Sequence, residues 1–148
     1  MLKEIYEQPC ALRKTLEAYC TGDDISFPLA RLSKNDIAKT EHIYFVGCGS
    51  AYHAGLAGRL CFENLLGIPV SVEVASEFRY CAPLVNEKTP VIIISQSGET
   101  ADTKAALEEA KRQGLKVISI VNVVGSSIAR ESDDVIYTWA GPEIAVAS

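Results

Sequence analysis

Apolar and polar positions follow two rhythms along this chain. From residue 42 onward, five short aliphatic runs recur: HIYFVG (42–47), PVSVEV (69–74), PVIIIS (90–95), KVISIVN (116–122) and DVIYTW (134–139). Between them, apolar residues return every three or four positions. The first rhythm reads as strand and the second as helix. Helices are expected at 51–66, stopped by Gly67, and at 100–113, stopped by Gly114, with a helical turn over 76–80 and a short helix at 126–131. VIII and VISIV are almost unbroken, as strands covered on both faces are. Strands alternating with helices imply right-handed crossovers and a parallel sheet. The expected fold is α/β, a three-layer αβα sandwich on a five-stranded parallel sheet.

The first forty residues differ. Residues 2–20 read as a helix, with Ile5, Leu12 and Leu16 on one stripe and Pro9 kinking it or starting its second half. Residues 21–39 are mixed and turn-rich, a connection with a short helix. The division is therefore 1–40, an N-terminal helical segment, and 41–148, the domain proper. Repeats and low-complexity stretches are absent.

The length, 148 residues, suits one core, and 48% apolar with 22% charged residues is a globular composition. A formal net charge of −5 argues against broad binding to nucleic acid or anionic membrane, which rests on dense Lys/Arg fields. It leaves room for a small anion at a local site. The apolar runs fall short of the ~20 residues of a membrane span, and MLKEIYEQ has no apolar signal core. Five cysteines at wide spacings, with no CxxC and only His42 and His53 beside them, read as reduced thiols of a cytoplasmic protein without a metal.

In a doubly wound sheet, ligands bind beyond the carboxyl ends of the strands. That directs attention to GCGSA (47–51), SQSGET (95–100) and the tail AGPEIAVAS (140–148). SQSGET supplies the hydroxyls of Ser95, Ser97 and Thr100, a Gly98 turn, and then a helix. A helix N-terminus offers unpaired N–H groups and the positive end of a dipole. Hydroxyls and amides without a lysine suit a phosphate monoester held without chemistry on the phosphate. Plain capping by Thr100 is the alternative. GCGSA raises a dinucleotide fingerprint, with Glu73 as ribose acid, but Tyr52 stands where the third glycine belongs. Cys48 has no base assigned to it and reads as a packed thiol. His53 reads as a packing or surface residue, Glu99 as turned away from the anion, and Trp139 as core.

GCGSAYHAG (47–55), ASEFRY (75–80), SQSGETADT (95–103) and AGPEIAVAS (140–148), in this order, resemble the sugar isomerase (SIS) domain. More narrowly, they and the opening KEIYEQP (3–9) resemble the first SIS half of the glutamine–fructose-6-phosphate aminotransferase family, which makes glucosamine 6-phosphate. The resemblance implies that Ser95, Gln96 (through its amide), Ser97 and Thr100 hold the sugar phosphate. It implies that Cys48, Gly49 and Ser50 line the sugar site and that Val146, Ala147 and Ser148 approach the sugar hydroxyls. It implies no cofactor, a sugar phosphate as ligand (fructose 6-phosphate or glucosamine 6-phosphate), and association as a homodimer. Two residues depart from the family pattern. Ala51 replaces a hydroxyl residue, removing a contact of the ~1.5–3 kcal/mol class, and Ala145 replaces a glycine. The glutaminase domain and the second SIS half, with the residues that form the imine and move the proton, are not encoded in these residues, so the chain reads as a fragment, inactive alone. Other readings are a SIS phosphosugar sensor of a regulator and a nucleotide-binding Rossmann domain.

Overall fold

The structure, a computed structural model, describes residues 1–145 apart from 28, 82–84 and 87. In chain order the elements are α1 (Leu2–Tyr19), β1 (Cys20–Thr21), β2 (Asp24–Ile25), α2 (Lys34–Ala38), β3 (Ile43–Gly47), α3 (Ser50–Leu66), β4 (Val70–Val74), α4 (Ala75–Cys81), β5 (Val91–Ser95), α5 (Ala101–Arg112), β6 (Val117–Val121), α6 (Ser127–Glu131) and β7 (Asp134–Tyr137). Each aliphatic run became a strand because its branched side chains alternate between two apolar faces.

Five strands form a parallel sheet in the order β4-β3-β5-β6-β7. Val46, Val91, Ile93, Val117 and Val121 face one layer, where they pack with Phe78 of α4, Leu107 of α5 and Ile128 of α6. Ile43, Phe45, Val70, Ile92 and Ile118 face the other, against Phe62 of α3. Phe45 and Phe62 meet edge to face, 5.0 Å between centroids. Fully burying a side chain of this size contributes about 1.5–3 kcal/mol. The expected αβα sandwich is thus present. From β3 the chain moves outward to β4, then returns past β3 to β5. The carboxyl ends of β3 and β5 therefore flank the point where the winding reverses, the usual place for a ligand in such sheets.

Polar groups fasten the periphery. The buried Asp134 carboxylate accepts N–H bonds from Ala30 (2.6 Å), Arg31 (3.0 Å) and Leu32 (2.8 Å). This fixes the 29–32 loop, whose Leu29 and Leu32 complete the second apolar layer. At the far edge of the sheet, the Tyr19 hydroxyl donates to Tyr137 O (2.9 Å) and accepts from Tyr137 N–H (2.7 Å). A side chain thereby occupies backbone groups that an open edge strand would leave unpaired. Thr15 Oγ1 also donates to Thr138 O.

The structure refines four expectations. The α1 stripe lies open to solvent: Ile5, Leu12 and Leu16 are exposed, and Tyr19 is the buried residue of that helix. The two sheet faces are already covered by α3 and by α4 to α6, which leaves α1 the edge. The helix also runs continuously through Pro9. Trp139 is 43% exposed at φ 51°, beyond the end of β7, and not in the core. The 21–39 connection contains a small antiparallel pair, Cys20↔Ile25 and Thr21↔Asp24, before its short helix α2. No helix among the described residues is long and apolar enough to cross a membrane.

Candidate functional site

Two loops meet at the switch point. The first follows β3. Its Gly49 has φ 54° and ψ −129°, a conformation that L side chains rarely adopt. Gly49 caps α3 without any side-chain capping bond; the Ala51 and Tyr52 N–H groups turn back onto Cys48 O (3.1 and 3.4 Å), so what α3 offers here is chiefly the positive end of its dipole.

The second loop follows β5. Ser95, 5% exposed, accepts the Gly98 N–H through its Oγ (3.0 Å), and Ser97 Oγ accepts the Glu99 N–H (3.2 Å). Each hydroxyl has spent acceptor capacity inside the loop and keeps its O–H to donate to an anion. Thr100 occupies the cap position of α5, but its side chain makes no capping bond. The plain-capping alternative therefore fails for Thr100, whose hydroxyl remains free for another partner.

Gly98 lets this loop lie against α6. At φ +66°, a Cβ there would collide with Ser126 Oγ and approach Ser126 Cβ to 2.6 Å. Gly98 O accepts the Ile128 N–H (3.1 Å), and Glu99 Oε1 accepts the Ser127 N–H (2.7 Å). The Ser127 backbone N–H, followed by its hydroxyl, holds the Glu99 carboxyl below the usual carboxylate range. Glu99 is thus turned toward α6 and does not line the cavity between the two loops.

Between the loops lies a cavity of about 390 Å³. Cys48, Gly49, Ser50 and Ala51 line one side, and Ser95, Gln96, Ser97 and Thr100 the other. The structure therefore brings together seven of the residues singled out from sequence. Val146, Ala147 and Ser148 lie outside the described residues. Thr103 and Glu143 also line the cavity and were not anticipated. Thr103 was legible in principle, since it lies three residues after Thr100 and so on the same helix face. It is 1% exposed, and its Oγ1 donates to Cys48 Sγ (3.6 Å) across the two loops.

No lysine or arginine appears among the described residues of the cavity wall. The N-termini of α3 and α5 each bring roughly half an elementary positive charge to it, with the Glu143 carboxylate in the same wall. Such a site can bind and orient an anion by hydroxyls and amides, and its described wall also carries the Cys48 thiol beside that carboxylate. Among the described residues, no cluster of His, Cys, Asp or Glu could hold a metal ion. His53 is exposed and packs edge-on against Tyr52, on the surface as expected.

The tail is held against α1. Glu4 Oε1 accepts the N–H groups of Ile144 (2.9 Å) and Ala145 (3.1 Å), and Glu4 Oε2 lies 2.8 Å from the Met1 ammonium. The ammonium first, then the two amides, hold the Glu4 carboxyl down at about 2.

Comparison with known proteins gives a consistent picture. Residues 36–148 match the SIS domain family. The whole chain is 58% identical to glutamine–fructose-6-phosphate aminotransferase (isomerizing) of Caldanaerobacter subterraneus subsp. tengcongensis and 56% identical to the Clostridium tetani protein of the same name. It spans 24% of the length of each. In structure it resembles the C-terminal domain of glucosamine-fructose-6-phosphate aminotransferase from Francisella tularensis, with a TM-score of 0.90 and 44% identity over 99% of this chain and 41% of that one.

Proposed function

Since this chain belongs to the SIS domain family, we propose that it is the phosphosugar-binding half of the isomerase domain of an aminotransferase making glucosamine 6-phosphate from fructose 6-phosphate and glutamine. The observation that carries this is the cavity at the switch point, where Ser95, Ser97 and Thr100 hydroxyls meet the N-termini of α3 and α5 with no cationic side chain among the described lining residues. A phosphate monoester is neutralised there by dipoles and directed donors rather than by ion pairing.

On this reading Ser95, Ser97 and Thr100 donate to phosphate oxygens, and the Gln96 amide adds a fourth donor. Cys48, Gly49 and Ser50 line the hexose, and Val146, Ala147 and Ser148 meet its hydroxyls. Residues 41–148 form the binding domain and 1–40 an accessory segment. The half contributes catalysis by positioning: it fixes the phosphate so that the ketose carbon lies where ammonia adds and a base in another part of the enzyme moves the proton. Alone it binds and does not turn over. The working form is a cytoplasmic homodimer that engages neither nucleic acid nor membrane.

Calorimetric titration of the purified chain tests the proposal. Glucosamine 6-phosphate and fructose 6-phosphate should bind, while the unphosphorylated hexoses, NAD and ATP should not. Nucleotide binding without a phosphosugar response would overturn it, as would conversion of fructose 6-phosphate and ammonia by this chain alone.

A further inference from the structure

Asn122 follows β6 and stands apart from the hydroxyl loop in sequence, yet it touches both that loop and the tail. Its backbone N–H donates to Gln96 O (3.1 Å). Its side chain makes three bonds to the residues around Trp139. Asn122 Oδ1 accepts from Thr138 Oγ1 (3.0 Å) and from the Ala140 N–H (2.8 Å), and Nδ2 donates to Gly141 O (2.6 Å). Two donors on one atom and an acceptor on the other fix which end of the amide is oxygen.

These three bonds bracket the only described non-glycine residue at positive φ, Trp139 at 51°. A bulky side chain reaches that region only where its surroundings hold it. The turn sends the chain from the end of β7 back across the carboxyl ends of the strands, and four residues later Glu143 lines the cavity.

We infer that Asn122 is a positioning residue for the bound hexose: through its side chain it holds the turn at Trp139, and so sets where the Glu143 segment meets the sugar. The inference rests on the phosphosugar reading for its ligand, but not for its structural content. The backbone bond to Gln96 needs only the N–H of residue 122 and so is kept in Asn122→Ala and Asn122→Asp, where the phosphate loop keeps its shape while the tail is released.

The chain holds a single tryptophan, at the turn itself. That provides a readout separate from binding. In the 148-residue chain, Asn122→Ala should raise acrylamide quenching of Trp139 and speed amide exchange at Ala140. It should weaken glucosamine 6-phosphate about tenfold, the loss expected when hydrogen bonds that order a contact segment are removed, and inorganic phosphate by less than about twofold. Asn122→Asp, which keeps the acceptor and loses the Nδ2 donor, should fall between. If Asn122→Ala does not fold, Thr138→Val removes one of the bonds and should move both readouts in the same direction by less. Equal losses for sugar phosphate and phosphate, or none for either, would overturn the inference. If the unaltered chain binds neither ligand, the phosphosugar reading is lost. The clamp is then judged on Trp139 and Ala140 alone, where unchanged quenching and exchange would refute it.

Discussion

Thr103 donates to Cys48 across 3.6 Å, joining the first turn of α5 to the loop that opens α3. The hydroxyl is buried and the sulfur sits in the cavity wall, so the contact ties the two halves of the candidate site at its floor. Replacing Thr103 by valine keeps the volume and removes the donor. A weak hydrogen bond to sulfur is at stake, so the expected loss of stability is about 0.5–1.5 kcal/mol. Glucosamine 6-phosphate affinity should fall about two- to tenfold on the same scale. Thermal melting together with calorimetry measures both; unchanged affinity would show that the tie does not matter to the ligand.

Ser97→Ala combined with Thr100→Ala removes the two O–H donors that the proposed function directs at the phosphate. Each such bond contributes about 1.5–3 kcal/mol. Sugar-phosphate affinity should drop at least a hundredfold by that scale, while stability falls by no more than about 1 kcal/mol, because Thr100 is exposed without a capping bond and Ser97 loses one loop bond, from the Glu99 N–H. Affinity within threefold of the unaltered chain would remove the phosphate assignment.

Gly98→Ala should be among the most damaging single changes. The left-handed conformation costs a non-glycine residue roughly 1–2 kcal/mol, and overlap with Ser126 adds about 1–3 kcal/mol. Chemical denaturation should show a loss of about 2–5 kcal/mol by those two terms together. A near-neutral result would mean that α6 can move away from the loop.

Ser119 Oγ is fully buried in the apolar layer beneath α5 and has no hydrogen-bond partner among the described residues. An unpaired buried hydroxyl is unfavourable, so Ser119→Ala should be neutral or stabilising by up to about 1 kcal/mol. A loss beyond that would reveal a hidden partner such as an ordered water.

The Glu4 contact to the tail should depend on pH. Its folded pKa of about 2 lies below the ordinary 4.5. A depressed carboxyl stabilises the folded arrangement above its unfolded pKa and loses that contribution as pH falls from about 4.5 toward about 2. The amide signals of Ile144 and Ala145 should be flat at neutral pH and shift below pH 4.5 in nuclear magnetic resonance. Glu4→Gln should abolish the transition.

The sheet and its helices were legible because runs such as VIII and VISIV leave little choice: a stretch apolar on both faces must be an inner strand. The hydroxyl loop was legible because Ser95, Gln96, Ser97 and Thr100 are contiguous with the strand that presents them. The misses share a different cause. A stripe such as Ile5, Leu12 and Leu16 says that a face is apolar, not whether anything in the same chain covers it. Trp139 reads as core by composition, yet its position follows from bonds that Asn122 makes seventeen residues earlier in the chain. The two-residue strands β1 and β2 are too short for an alternation to show. Contacts between distant segments, including Thr103 with Cys48 and Glu143 with the cavity, leave no local pattern.

The ladder pattern of the main sheet also has a kinetic consequence. Every neighbouring pair is parallel and joined by a crossover, so no tight hairpin can start the sheet. The nearest partners along the chain are in β6 and β7, where Ile118 pairs with Asp134, whereas Tyr44 of the central strand must find Val91. Loop closure therefore costs least at the β6–β7 edge and more at the pairing that closes the switch point. The candidate site is built on the strand pairing that is entropically most costly for the chain to close.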